Sequence, residues 1–238
     1  MKSYHDIREG LEKYVFDEIV PRYAGFDPAH REDHAITVIE QSMELLDRMH
    51  IWLSAQSPGV IGFWVSNASG DADAIDIPDR ELLFAAAACH DLGLVNGRER
   101  HHLDSGIIIR ADSRLREWFS EEQIELIAQA AEDHRASGKS APRSIYGMLV
   151  AEADRVIDGE TIIMRTIQYG LTNYPELDRE GHITRAIGHL REKYGRGGYL
   201  KLWIPWSDNA ASLSALQETI ADDSAIYRET VRIYDSLV

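Results

Sequence analysis

The stretch RELLFAAAACHDLGL, residues 80–94, reads as a helix that starts just after Pro78 and is stopped by Gly93 and Gly97. Its closing turn, AAAAC, carries so little side-chain bulk that other elements, or an ion, can approach the backbone closely. The helix ends on His90 and Asp91. Adjacent side chains diverge around a helix, yet at a helix end both can reach one ion, and imidazole nitrogen with carboxylate oxygen suits Mn, Fe, Co, Ni or Zn. An exposed polar pair or a helix cap is the competing reading, and the dipeptide alone does not choose between them.

Helical periodicity also dominates on the amino-terminal side, from Met1 to about His50. Phe26, Asp27 and Pro28 form a turn that starts a new helix with Pro in its first turn. Ala35, Ile39, Ser42 and Leu46 make the apolar stripe of that helix, and His34 borders it with Val38 and Leu45. Residues 54–78 break the pattern with Pro, Gly, Asn and Ser around a short apolar run. This is a loop insertion, either a lid or a surface loop pinned by Phe63 and Trp64.

Towards the carboxyl terminus, HHLDSGIIIRAD is a further helix. Ser120 and Gln123 have the spacing of a capping box for EEQIELIAQAAEDHR, which Gly138 closes. Tyr146 to Ile157 is helical, Gly195 to Asp208 irregular, and a last helix follows from Ala210. Strand and helix do not alternate, and no phosphate-binding glycine loop of the P-loop or dinucleotide type occurs. The expected fold is all-α, a single compact bundle over 1–238 with its core at about 26–170 and a helical extension at 171–238.

The chain has 238 residues, a formal net charge of -15 and one cysteine, Cys89. Such a balance disfavours a nucleic-acid surface, which gains affinity from Lys and Arg through counterion release. A small anion is still compatible, because a bound divalent metal reverses the local field. No stretch approaches the roughly 20 apolar residues that span a bilayer, and MKSYHDIREG lacks the apolar core of a signal peptide. The cytoplasm is the expected compartment, a homo-oligomer is compatible, and Cys89 reads as a small core residue.

Several polar residues fall on or beside buried faces. Asp154 shares a face with Val150, Ala151 and Ile157, so it needs a positive partner, an arginine or a metal, whereas Glu152 reads as solvated. His134 follows Ile127 and Ala131 at helical spacing. His102 stands four residues before Gly106, which allows close helix packing beside its ring, while His101 reads as outside the site. For each histidine alone, a core imidazole bonded to a carbonyl is the default. His34, His90, Asp91, His102, His134 and Asp154 together place such groups on five helices.

The order His, then His-Asp, then Asp resembles the HD superfamily of metal-dependent phosphohydrolases. HREDHAITVIEQSMELL looks like its first-histidine helix, AAAACHDLGL like its His-Asp helix, and AEADRV like its final aspartate motif. The resemblance implies that His34, His90, Asp91 and Asp154 ligate one divalent ion (Mn, Fe, Co, Ni, Zn or Mg). It further implies that His102 and His134 either ligate a second ion bridged by Asp91 or hold phosphate. No Gly-Tyr-Pro signature follows His134, so cyclic-di-GMP hydrolysis is not supported.

By the same resemblance the chain is a phosphomonoesterase or phosphodiesterase acting on a nucleotide or other small phosphoester through metal-activated water. Asp91, His102, His134 and Arg135 are then the catalytic candidates. Arg98, Arg100, Lys139 and Arg155 are candidates for the substrate's charge, with ordinary surface charge as the reading against each. Two other functions fit the motifs: a mixed-valent diiron oxygenase with the same ligand pattern, and a non-catalytic module that senses a nucleotide. Tyr199, Trp203 and Trp206 read as packing or as a platform for a base.

Overall fold

The computed structural model describes residues 4, 6–27, 30–56, 78–135, 140–155 and 157–238. Every regular element among them is helical, as expected for an all-α chain. Pro28, Gly138, Lys139 and most of the 54–78 insertion, with Phe63 and Trp64, lie outside the described residues. No helix among those described is long and apolar enough to cross a membrane. The chain divides into two compact units, Met1–Asp154 and Arg155–Val238, so the dividing point falls before the core limit near residue 170 read from the motifs.

The first unit opens with α1 (Glu9–Tyr14), which runs on through a π turn (Val15–Ile19) into a 3-10 stretch (Val20–Gly25). Leu11, Tyr14, Val15, Ile19, Val20 and Tyr23 are its buried side chains. Helix α2 (Glu32–Ser54) buries Ala35, Ile39, Ser42 and Leu46, the stripe read from the sequence, together with Val38 and Leu45 of its flank. Helix α3 (Arg80–Cys89) is capped by Asp79, whose Oδ1 accepts from the amides of Glu81 (2.8 Å) and Leu82 (3.0 Å), a contact worth about 1 kcal/mol. Leu82 through Cys89 are all buried, which marks α3 as the central helix. Its alanines let α2, α5 (Glu121–Asp133) and α6 (Ile145–Ala153) pack around it.

Ser120 and Gln123 form the expected capping box of α5. Helix α4 (His101–Ala111) packs on α5 and on the 3-10 turn Leu92–Asn96 that follows the His-Asp pair. Gly93 makes that approach feasible: a Cβ there would lie 2.0 Å from the His101 carbonyl oxygen and 2.5 Å from the Ser105 nitrogen. Its own amide donates to Ser105 Oγ at 2.8 Å. Helix α6 ends at Ala153, earlier than the sequence reading of Ile157, and leaves Asp154 as its C-terminal cap.

The second unit holds α7 (Gly159–Asn173), α8 (Arg179–Tyr194), α9 (Asn209–Ala221) and α10 (Asp223–Leu237). Residues 195–208 are irregular, as read from the sequence. The single last helix expected from Ala210 is two helices, because Asp222 leaves the helical conformation and its carboxylate takes the amides of Ser224 and Ala225. Trp206 is buried, whereas Tyr199 is 42% exposed.

Candidate metal centre

Four histidines and two aspartates from the first unit meet as two triads. Nε2 of His34 stands 3.2 Å from Nε2 of His90 and 3.3 Å from Asp154 Oδ1, and His90 Nε2 is 3.9 Å from that oxygen. Nε2 of His101 and Nε2 of His134 are 3.3 Å apart and lie 3.4 and 3.3 Å from Asp91 Oδ1. The other oxygen, Asp91 Oδ2, faces the first triad at 3.4 Å from His90 and 3.7 Å from His34. Donors at about 2.0–2.2 Å from a common ion are separated by roughly these distances, so each triad could hold one ion.

Local backbone structure explains why the donors converge. His90, His134 and Asp154 are the C-terminal caps of α3, α5 and α6, so three helix ends point their partially negative carbonyl termini at one place, which favours a cation. The rings are aimed by one repeated device: Nδ1 donates to the carbonyl three residues earlier, His90 to Ala87 and His101 to Arg98 at 2.8 Å, and His134 to Ala131 at 2.5 Å. Because a carbonyl only accepts, the proton sits on Nδ1 and the Nε2 lone pair is presented to the site.

A buried tyrosine, not anticipated from the sequence, braces the His-Asp turn. The Tyr23 hydroxyl donates to Ala88 O at 2.8 Å and accepts the Asp91 amide at 3.2 Å. Burial first, and the Asp91 carboxylate second, push its own ionisation well above the ordinary value, so the hydroxyl keeps its proton. With His90 on Ala87 and Tyr23 on Ala88, two of the open carbonyls at the end of α3 are satisfied by side chains.

Asp91 is 2% exposed, and no hydrogen bond of proper geometry reaches its Oδ1. Burial alone would raise this carboxyl, but the imidazoles around it, His90 foremost, hold it far below the ordinary range. Burial likewise opposes the charged form of His34, yet Asp154 and Asp91 push it up to about 9. A buried oxygen without a donor and two carboxylates among four imidazoles make a donor set suited to divalent transition metals.

Asp154 meets imidazoles, with His34 at 3.3 Å and His90 at 3.9 Å from its Oδ1, and His34 with His90 makes up the first triad around it. Where the sequence reading set His102, the structure brings His101. The buried stripe of α4 runs through Ser105 and Ile109, and one turn back it reaches 101. His102 lies instead towards Arg135, and burial with that charge lowers its imidazole to about 4. Gly106 does mark close helix packing, since a Cβ there would meet the Glu132 side chain on α5.

Of the proposed cations, Arg135 donates to Glu99 O at 2.7 Å, Arg98 is exposed and faces Asp27 at 3.4 Å, and Arg100 is exposed at the start of α4. Arg155 is buried and belongs to the second unit, and Lys139 is outside the described residues. Glu152, read as solvated, is fully buried because α6 is enclosed nearly all round. Cys89 is a core residue whose thiol burial pushes up to about 12, so it is no nucleophile.

The family model described as HD domain matches residues 31–157, a span that contains every donor of both triads. No curated protein and no solved structure matches the chain.

Proposed function

The chain belongs to the HD domain family of metal-dependent phosphohydrolases, and from that premise we propose that it hydrolyses a small phosphoester at a centre of two divalent ions. His34, His90 and Asp154 would hold one ion and Asp91, His101 and His134 the other, with the second Asp91 oxygen facing the first triad. The observation that carries this reading is the division of the Asp91 carboxylate between two pairs of imidazoles. Ions bound there supply Lewis-acid polarisation of a phosphoryl oxygen and acidify a water near neutral pH.

The chain's own residues do the rest. The Nδ1 bonds of His90, His101 and His134 select the neutral tautomer whose Nε2 lone pair faces the site, and Tyr23 fixes the turn that carries Asp91. Arg135, restrained by Glu99 O beside His101, is the cation best set to meet the phosphoryl charge. The substrate is a phosphomonoester or phosphodiester of a nucleotide or comparable small molecule.

The test is elemental analysis of the purified protein, followed by phosphatase and phosphodiesterase assays with Mn, Co, Ni, Mg and Zn. Asp91→Ala is expected to lose both metal and activity. Full metal content in that variant would remove the basis of the proposal. The six-donor set equally supports a diiron oxygenase, and dioxygen separates the two: hydrolysis continues without it, oxygenation stops. A fully metallated protein inert in both atmospheres would favour a sensing module.

A further inference from the structure

Between Phe26–Asp27, at the end of the 3-10 stretch, and Leu94–Arg98, just after the His-Asp turn, lies an open cleft of about 320 Å³. Its apolar lining comes from Phe26, Leu94 and Val95, the last 68% exposed. Arg22, Arg98 and Asp27 complete the lining, and Arg98 Nη1 stands 3.4 Å from Asp27 Oδ2. None of these residues belongs to the metal triads.

Three short connections join the cleft to the donors. The Leu94 amide donates to Asp91 O at 2.9 Å, and Arg98 O accepts from His101 Nδ1 at 2.8 Å. Asp27 in turn holds His30 Nδ1 at 2.9 Å, and the His30 ring meets the His34 ring edge-on with centroids 5.4 Å apart. The residues that line the cleft are thus tied by direct contacts to residues of both triads.

Charge and shape say what such a cleft receives. In a chain of net charge -15, two arginines on one small cleft are a local reversal of sign. Arg98 is tied only loosely: its contact with Asp27 is 3.4 Å long with a side chain 68% exposed, and surface pairs of this kind contribute about 0–1 kcal/mol. Arg22 pairs with no described carboxylate. The volume sits at the small end of the roughly 300–1,000 Å³ of small-molecule sites, enough for one ring-sized group.

We propose that this cleft receives the part of the substrate beyond the scissile phosphoryl group, and that this part is an apolar or flat body bearing a second anionic group. The body packs on Phe26 and Val95 while Arg22 and Arg98 take the anion. The inference rests on the reading of the triads as the hydrolytic centre.

Phenylphosphonate and 4-carboxyphenylphosphonate, which differ by one anionic group and are not hydrolysed, test it by calorimetry on the manganese-loaded protein and on the chelated protein. The carboxylate is expected to tighten binding by roughly tenfold or more, as a charge-assisted contact would. That ratio should collapse to about one in the Arg22→Ala/Arg98→Ala double variant, and fall in Val95→Glu, whose exposed position tolerates the change. A ratio near one in the wild type, or an unchanged ratio in the double variant, overturns the proposal. Benzene-1,4-diphosphonate in place of the carboxylate distinguishes a phosphate-like second group from a carboxylate. Manganese-independent binding of phenylphosphonate, with the carboxylate ratio intact, would count against the metal reading and leave the cleft standing.

Discussion

The Tyr23 hydroxyl spans the two ends of the His-Asp turn, giving its proton to Ala88 O and receiving the Asp91 amide. Tyr23→Phe keeps the ring in place and leaves both backbone groups unmet in a buried setting, a loss of about 1–3 kcal/mol. Thermal melts should show a lower midpoint, and manganese titration a weaker affinity. A variant equal to the wild type in both would mean that the turn holds itself without the phenol.

The neighbouring histidines of α4 should behave differently. His101→Ala removes an Nε2 that faces Asp91 Oδ1, so metal content is expected to fall from two ions towards one. His102→Ala should leave metal content unchanged. Elemental analysis of the two proteins reads the difference directly, and the opposite pattern would restore the assignment made from the sequence.

At Gly93 a methyl group has nowhere to go, since its Cβ would press on the backbone of His101 and Ser105. Gly93→Ala must push α4 away from the His-Asp turn. We expect a destabilisation of about 1–3 kcal/mol or more in urea melts, together with loss of the second ion, because His101 moves with its helix. Unchanged stability and metal content would contradict the close approach.

The raised ionisation of His34 has a definite sign. In the metal-free protein its folded value of about 9 exceeds the ordinary value of about 6.5. Its stabilising charge is therefore fully present below about pH 6.5 and is lost as pH rises through 9. A metal must displace that proton, so affinity should climb with pH up to about 9 and then level. Manganese titrations from pH 6 to 10, with melts in chelator, check both slopes; a metal affinity that is flat over that range would show that His34 holds no proton for the ion to displace.

Much of this was legible in the sequence, for physical reasons. The buried stripe of α2, the all-round apolar character of α3 and the capping box of α5 follow from periodicity and cap chemistry. His134 and Asp154 were legible because a polar group on an apolar face needs a partner, His34 because it borders such a face, and His90 with Asp91 as a pair closing a helix of small residues in the order of the HD motifs. Choosing between His101 and His102 required the direction in which α4 packs, which adjacent residues 100° apart leave open and which the line Ser105–Ile109 could have supplied. Tyr23 gave no signal, since an aromatic residue on a buried face looks like packing until its hydroxyl is traced across 65 residues to Ala88. The break at Asp222 was missed because a carboxylate inside a helical pattern reads as surface until it caps the next helix.

The ends of three helices, with His34 from α2 and His101 from α4, close on the centre from positions 34 to 154 in the chain. Ions bound as proposed would tie together residues 120 apart, a cross-link that this chain, with Cys89 alone, cannot make from sulfur. Such a staple is reversible and set by free metal concentration, so the lifetime of the folded first unit would follow metal supply. Starvation for metal would then remove the protein as well as silence it.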